Sequence, residues 1–196
     1  MKALIIAGFL GSGKTTLLLR IARSLASPST RIAIIENEIG EVGVDGDYLE
    51  LEGLKVQELF GGCVCCTLSA GLLEALAVLR RQYRPDIVIL EATGVADPGD
   101  VVATVRRFGE GVDGITVITV VDAARYGMLM EIMTPLVTSQ ILAADIVAVS
   151  KTDMAGPETA EQVLREVGVL NPRAHVAAVS AEGYADLDAV MDRLRC

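Results

Sequence analysis

Short, continuously apolar runs alternate along the chain with longer stretches in which apolar residues recur at helical spacing. Because most of the short runs lack polar alternation, they predict strands that are covered on both faces, as in a parallel sheet. The predicted strands are residues 3–8, 31–37, 55–59, 86–92, 115–122, 145–151 and 175–181. The predicted helices are residues 15–26, 69–83, 97–109, 134–144, 158–168 and 187–195. This alternation predicts an α/β fold, a doubly wound and mostly parallel sheet with helices on both faces.

Composition narrows the class of protein. The chain has 196 residues, which suits one domain, and its net charge of −9 argues against a nucleic-acid partner, because phosphate backbones need clustered Lys and Arg. No apolar run is long enough for a transmembrane helix, so no membrane partner is expected. The apolar N-terminus leads directly into a glycine-rich motif rather than to a cleavage site, which favours a cytoplasmic protein.

Residues 8–15 read GFLGSGKT and match the phosphate-binding loop G-x-x-x-x-G-K-[ST], placed between a predicted strand and a predicted helix. Its glycines allow the backbone N–H groups to form an anion-binding nest. Lys14 is expected to reach the β- and γ-phosphates, and the Thr15 hydroxyl to ligate Mg²⁺. The residues predicted to contact the nucleotide here are Gly11, Ser12, Gly13, Lys14, Thr15 and Thr16. We therefore expect a nucleoside triphosphate site.

An acidic residue at the end of another predicted strand supports this site. The fourth predicted strand ends in ILEATG, and Glu91 follows its apolar run as the acid of a Walker B strand does. Glu91 is expected to hold Mg²⁺, directly or through water, unless it only caps the following helix. The N–H of Gly94 is expected to sense the γ-phosphate.

The choice of base is indicated by SKTD at residues 150–153, which is close to the N-K-x-D pattern of guanine-binding proteins. The Asp153 carboxylate can accept from the adjacent N1–H and N2 donors of guanine, a donor pair that adenine lacks, and the Lys151 stem can lie along the base. Ser150 replaces the usual Asn and can supply a shorter hydrogen bond. Ser180 and Ala181 follow the next strand, where a backbone N–H is expected to contact the guanine O6.

Three cysteines crowd into the stretch GGCVCCTL: Cys63, Cys65 and Cys66. A redox pair, buried structural thiols and thiolate ligands for a soft or borderline divalent metal are all open interpretations. Metal binding is favoured, because the third cysteine and the phosphate loop argue against a redox pair. Three cysteines cannot close a four-ligand site, so the site is expected to be open and exchangeable. The fourth ligand is expected to be water, a partner's side chain or a carboxylate of the nearby acidic stretch, in which Glu38 is the candidate ligand and a candidate water-orienting group. The lone His175 is interpreted as a strand residue rather than a ligand.

Together these motifs resemble the CobW-like branch of P-loop GTPases, which includes the metallochaperones CobW, HypB and UreG. The matching stretches are GFLGSGKTTLL, ENEIGEVGVD, GGCVCCTL, EATGVADP and SKTD, in that order. The resemblance covers essentially the whole chain, so residues 1–196 are expected to form a single GTPase domain. The expected absence of the C-terminal domain that such proteins usually carry is a departure from the family. The resemblance implies hydrolysis of GTP with Mg²⁺, and binding of Zn²⁺, Co²⁺ or Ni²⁺ by the three cysteines for a client metalloenzyme or cofactor protein. No arginine finger or water-positioning glutamine is evident in the sequence, so slow hydrolysis is expected.

The resemblance also implies that a homodimer across the nucleotide face is plausible. The rival hypothesis is a nucleotide-driven activator that remodels a partner, such as a corrinoid protein, without transferring metal.

Overall fold

The computed structural model describes residues 1–36, 49–51, 54–56, 68–179 and 185–195. Its strands are β1 (Lys2–Ala7), β2 (Ile32–Glu36), β3 (Leu49–Leu51), β4 (Leu54–Val56), β5 (Ile87–Glu91), β6 (Gly114–Asp122), β7 (Ile146–Ser150) and β8 (His175–Val179). Its helices are α1 (Lys14–Leu25), α2 (Leu68–Gln82), α3 (Pro98–Phe108), α4 (Tyr126–Ile132), α5 (Thr134–Leu142), α6 (Thr152–Ala155), α7 (Pro157–Leu170) and α8 (Ala185–Arg195).

Six of these strands form one parallel sheet in the order β2-β5-β1-β6-β7-β8. One of the two central strands is β1, which carries the phosphate loop at its carboxyl end. The register places Glu91 of β5 opposite Ile6 of β1, and Asp122 of β6 opposite Ser150 of β7. The polar residues that end these strands therefore lie along the same edge of the sheet, where ligands bind in this class of fold.

Both faces of the sheet are covered, as the apolar runs predict. Helices α1 and α8 pack on one face, where Leu18, Ile21 and Val190 meet the even-numbered side chains of β1 and β6. Helices α2, α3, α4, α5 and α7 contribute to the clusters on the opposite face, which contain the alternate side chains of the same strands. The predicted doubly wound α/β fold is confirmed.

One predicted strand does not belong to the parallel sheet. The pattern predicts that residues 55–59 join the parallel sheet, but β4 pairs antiparallel with β3 in a separate two-stranded sheet. Residues 57–59 lie outside the described part of the chain. The segment Leu54–Val56 alternates apolar and charged residues, which is typical of a hairpin with one solvated face and not of a strand buried on both faces. The backbone of β4 nevertheless comes close to β2, at the edge of the main sheet.

Smaller outcomes follow from the remaining elements. The methionine-rich residues 126–133 contain α4, in which Tyr126 and Leu129 are buried in the core whereas Met128 and Ile132 are exposed. His175 is the first residue of β8, as interpreted. None of the helices in the described part of the chain combines the length and apolar character needed to cross a membrane.

Candidate nucleotide site at the carboxyl edge of the sheet

The phosphate loop joins β1 to α1 as a tight backbone turn. Gly11 and Gly13 adopt positive φ values of 72° and 99°, a left-handed conformation that favours glycine. The Ser12 N–H donates to the Phe9 carbonyl at 3.1 Å and closes the turn. Successive residues of alternating handedness form a concave nest of N–H groups, which is suited to an anion.

Lys14 begins α1 and is buried beside this nest. Its Nζ lies 3.4 Å from the Phe9 carbonyl oxygen and 3.9 Å from Glu91 Oε1. Burial lowers the pKa of Lys14 below its ordinary value, although the nearby Glu91 carboxylate acts to raise it. Both contacts are long for a buried ammonium group, so Lys14 can donate to a phosphate without breaking a short ion pair.

Thr15 and Glu91 meet directly. The Thr15 hydroxyl lies 2.9 Å from one Glu91 carboxylate oxygen and 3.1 Å from the other. Adjacent ligands in an octahedral Mg²⁺ site with metal–oxygen distances of 2.0–2.1 Å stand about 2.9 Å apart. The hydroxyl and carboxylate oxygens of this pair therefore fit adjacent positions around Mg²⁺.

The loop after β5 packs directly on the phosphate loop. A Cβ added to Gly94 would lie 2.6 Å from the Leu10 nitrogen, so this approach requires glycine. The Gly94 N–H, the expected sensor of the γ-phosphate, thus belongs to a loop in backbone contact with the nest. Thr16, at the outer side of α1, is exposed.

Gln140 of α5 fixes this sensor loop from behind. Its side chain is buried, and its amide nitrogen donates to the carbonyls of Gly94 and Ala96 at 3.2 and 3.0 Å. The carboxylate of Asp97, which caps α3, also accepts a hydrogen bond from the Ser139 hydroxyl. Two consecutive residues of α5 therefore hold the loop that leads from β5 into α3.

On the other side of β1, the Asp122 carboxylate pairs with two basic side chains that contact the phosphate loop. Its carboxylate is fully buried and lies 2.7 Å from Arg125 Nε and 2.8 Å from Lys151 Nζ. Burial acts to raise the pKa of Asp122, but the hydrogen bonds from Lys151 and Arg125 outweigh it, so the pKa lies below its usual value. Asp122 is an anion at neutral pH, shared by two loops.

The SKTD segment also reaches the phosphate loop. The Ser150 hydroxyl donates to the Ser12 carbonyl at 2.7 Å, so Ser150 supplies the short hydrogen bond expected in place of Asn. Lys151 has a φ of 56°, which is uncommon outside glycine, and its Nζ donates to the Gly11 carbonyl at 2.7 Å. Asp153 is exposed in the first turn of α6, on the same edge of the sheet.

Several of the predicted site residues lie outside the described part of the chain: Glu38, Cys63, Cys65, Cys66, Ser180 and Ala181. Those that are described all lie at the carboxyl edge of the sheet, on the phosphate loop, the loop after β5 or the segment after β7. Within the described ranges, no cluster of His, Cys, Asp and Glu side chains is arranged to hold a metal ion.

Sequence reasoning missed Asp122, Arg125 and Gln140. Asp122 could have been found, because it ends the apolar run of β6 as Glu91 ends that of β5. Arg125 and Gln140 carry no such signal. Each bonds to a loop that is 40 or more positions away in the chain.

The chain as a whole matches a known protein family. The family described as "CobW/HypB/UreG, nucleotide-binding domain" matches residues 2–178. The chain is 36% identical over 196 residues to the zinc chaperone YjiA of Escherichia coli (strain K12), a match that covers 94% of this chain and 58% of that protein. It is 32% identical to the zinc chaperone CobW of Sinorhizobium sp, over 84% of this chain and 54% of that protein.

A more distant relative is the zinc-regulated GTPase metalloprotein activator 1 of Schizosaccharomyces pombe, 28% identical over 96% of this chain and 48% of that protein. The chain thus spans about half the length of these relatives.

Solved structures agree with the sequence matches. The Zn(II)-bound YjiA GTPase from E. coli superposes with a TM-score of 0.69 and 32% identity, over 96% of this chain and 60% of that chain. The hydrogenase maturation factor HypB from Archaeoglobus fulgidus shares the fold, with a TM-score of 0.68 and 19% identity over 100% of this chain and 89% of that chain. On the family match and these likenesses, the chain belongs to the CobW/HypB/UreG family of P-loop GTPases.

Proposed function

We propose that this chain is the GTPase domain of a metallochaperone. It binds GTP with Mg²⁺, hydrolyses it slowly, and binds a divalent transition metal for delivery to a client metalloenzyme or cofactor protein. We propose that residues 1–196 act in this as one nucleotide-binding domain in the cytoplasm, with a nucleotide-dependent homodimer as a further working state.

The observation that carries the nucleotide part is the contact between Thr15 and Glu91 at 2.9 Å, beside the nest that begins α1. The N–H groups of the loop and Lys14 bind the β- and γ-phosphates and stabilise the charge that develops on them. Thr15 and Glu91 would hold Mg²⁺, which neutralises phosphate charge when bound. The Gly94 N–H faces the γ-phosphate, and Glu38 orients the attacking water.

Base recognition rests on the segment after β7. Asp153 accepts from N1–H and N2 of guanine, Lys151 covers the base with its stem, and Ser180 and Ala181 donate a backbone N–H to O6. The exposure of Asp153 leaves its carboxylate free to receive the base edge.

Base choice is tested by measuring affinity for GTP, ATP and XTP. Asp153→Asn should weaken GTP binding and strengthen XTP binding, since a carboxamide can donate to the extra oxygen of xanthine. Asp188→Asn, an acid on α8, is the matched control and should change neither affinity. Equal affinity of the wild-type protein for GTP and ATP would contradict guanine recognition.

The metal part rests on the three cysteines and on the names of the relatives, which are zinc chaperones and a zinc-regulated GTPase. Cys63, Cys65 and Cys66 supply thiolates for Zn²⁺ as the leading cargo, with Co²⁺ and Ni²⁺ as alternatives, and Glu38 is the candidate fourth ligand. If GTP changes the affinity for metal, metal must change the affinity for GTP by the same factor.

The deciding experiment is an anaerobic titration of the reduced protein with Co²⁺, in Mg²⁺ and either GTP or GDP. Thiolate ligation gives a charge-transfer absorption band, which should be stronger and saturate at lower Co²⁺ with GTP. The Cys65→Ser, Cys66→Ser variant should lose the band, while Cys196→Ser, the control at the remaining cysteine, should keep it. Metal affinity that is the same with either nucleotide would remove the metallochaperone and leave the partner-remodelling activator.

A further inference from the structure

We propose that Arg125 is a positioning residue, which holds the phosphate loop in its anion-binding conformation by gripping the Leu10 carbonyl. The role rests on the nucleotide site proposed above and adds to it a residue that no motif of that site contains.

Arg125 is fixed from two sides. Its Nε donates to the buried Asp122 carboxylate at 2.7 Å, and its Nη2 donates to the Leu10 carbonyl at 2.8 Å. The Arg125 backbone N–H donates to the same carboxylate at 3.3 Å. A guanidinium has its donors in a rigid fork, so two bonds to two different acceptors define its orientation.

The hydrogen bond from Arg125 to the Leu10 carbonyl also constrains the Leu10–Gly11 peptide group. The Leu10–Gly11 peptide is planar and trans, so its carbonyl and its N–H point in opposite directions. Because Arg125 holds the Leu10 carbonyl, the Gly11 N–H is directed away from that contact, and the proposal assigns it to the bound anion. Flipping this peptide would place a carbonyl oxygen where an anion must bind.

Gly11 is suited to this arrangement in two ways. Its φ of 72° is left-handed, and a Cβ at this position would lie 3.3 Å from Arg125 Nη2. A side chain here would strain the turn and crowd the guanidinium at the same time. The loop conformation and the position of Arg125 therefore depend on one another.

Asp122 extends the grip to the base-reading segment. Lys151, held by the same carboxylate, donates to the Gly11 carbonyl at 2.7 Å. Two successive carbonyls of the phosphate loop are thus held by two cations that share one buried anion. Asp122 is already occupied by both cations, so Arg125 serves in the resting loop and need not move to act.

A loop held in place before the ligand arrives lowers the cost of binding. The benefit is the same for GTP and for its transition state, so losing it should raise KM and leave kcat nearly unchanged. The gain in affinity from the preformed loop should also depend on the β-phosphate, which the nest binds. The gain should be small for a nucleotide that lacks a β-phosphate.

The test compares Arg125→Met with the wild type by calorimetric titration of GDP and GMP. We expect GDP affinity to fall about tenfold, the loss typical of one hydrogen bond to a charged group, and GMP affinity to change less than twofold. Arg165→Met is the charge-matched control, since Arg165 lies on the exposed face of α7 with Glu161 as its partner. It should bind both nucleotides as the wild type does.

Arg125→Lys separates position from charge. It keeps the cation but loses the fork, so it should show most of the tenfold loss; full wild-type affinity would mean that Arg125 acts only through its charge. Equal losses for GDP and GMP would also overturn the positioning role, as would unchanged GDP affinity in Arg125→Met. If the wild type itself binds neither GDP nor GTP, the proposed nucleotide function fails instead.

A spectroscopic reading does not depend on affinity. In the ¹H–¹⁵N spectrum, the Gly11 amide of the wild type should shift strongly when GDP binds, because its N–H meets the phosphate. In folded Arg125→Met this shift should shrink while the shifts of residues after β7 persist. An unchanged Gly11 shift would contradict the proposal.

Discussion

Glu91 and Asp122 end the two strands that flank β1, yet their carboxylates have different surroundings. Glu91 keeps 15% of its side chain exposed, bonds to the neutral Thr15 hydroxyl and lies 3.9 Å from the Lys14 ammonium. Asp122 has no exposed side chain and lies within 2.8 Å of two cations. The first carboxylate can exchange its partners for a metal ion, whereas the second is committed to holding the loops around the site.

The different surroundings of Glu91 and Asp122 suit two different roles for a carboxylate at the same edge of the sheet. A carboxylate that is to bind Mg²⁺ must keep its charge accessible and its protein contacts weak. A carboxylate that joins loops gains from burial only when its charge is fully paired, because an unpaired buried charge is costly. Substitutions of Glu91 and Asp122 test whether these two roles are separate, and a substitution of Gln140 tests the loop beside them.

The largest effect should come from the accessible carboxylate. Glu91→Gln keeps the size of the side chain but removes its charge, so hydrolysis of GTP in Mg²⁺ should fall about a hundredfold. The free energy of unfolding should change little, since the Lys14 ammonium is 3.9 Å away and a Gln side chain can still accept from the Thr15 hydroxyl. Steady-state hydrolysis and urea unfolding measure the two effects, and a large loss of stability with intact hydrolysis would reverse the comparison.

The buried carboxylate should show the opposite pattern. Asp122→Asn leaves Arg125 and Lys151 without their anion, and should lower the free energy of unfolding by about 3 kcal/mol. Asp86→Asn is the control, because Asp86 also pairs with an arginine, Arg31, but is 45% exposed. Urea unfolding should show a much smaller loss there. Similar losses in both variants would mean that burial does not distinguish Asp122.

A third change concerns the sensor loop rather than either carboxylate. Gln140→Leu removes the donors to the Gly94 and Ala96 carbonyls and should cost about 2 kcal/mol of stability. Because this loop carries the expected γ-phosphate sensor, the ratio of GTP to GDP affinity should also fall. Gln162→Leu, at an exposed pair with Glu166 on α7, is the matched control. An unchanged affinity ratio would limit Gln140 to a structural role.

The smallest expected change is a pH dependence of Asp122. Its pKa is lowered in the folded state, so its contribution to stability is complete above the unfolded value of about 3.9 and is lost as pH falls through the folded value. The difference in stability between the wild type and Asp122→Asn should therefore be constant near neutral pH and shrink below about pH 4. Denaturant unfolding from pH 7 to pH 3 measures it. A difference that grows in acid would contradict a charged Asp122.

The sheet was predictable because its information is local. Runs such as IVILE and IVAVS are apolar on both faces, and β5 and β7 follow them closely. The hairpin β3–β4 could not be predicted, because strands of three residues are too short for their apolar pattern to indicate which strand they pair with. Strand order itself depends on long-range pairing, which no single run records.

The site divides in the same way. Lys14, Thr15 and Glu91 were predictable, because phosphate and Mg²⁺ chemistry demands those residue types next to a strand end. Arg125 and Gln140 were not, because each acts on the backbone carbonyls of a distant loop, and such bonds leave no mark on the neighbouring sequence. The roles proposed for Cys63, Cys65 and Cys66 rest on their motif and on the chain's similarity to zinc chaperones.

The close approach of Gly94 to Leu10 can be used to change the distance between the two loops. A single methyl group at Gly94 would lie 2.6 Å from the Leu10 nitrogen, so Gly94→Ala should act as a wedge that separates the two loops without altering any charge. The variant would then show what the distance between the two loops contributes to the site, apart from the charges around them.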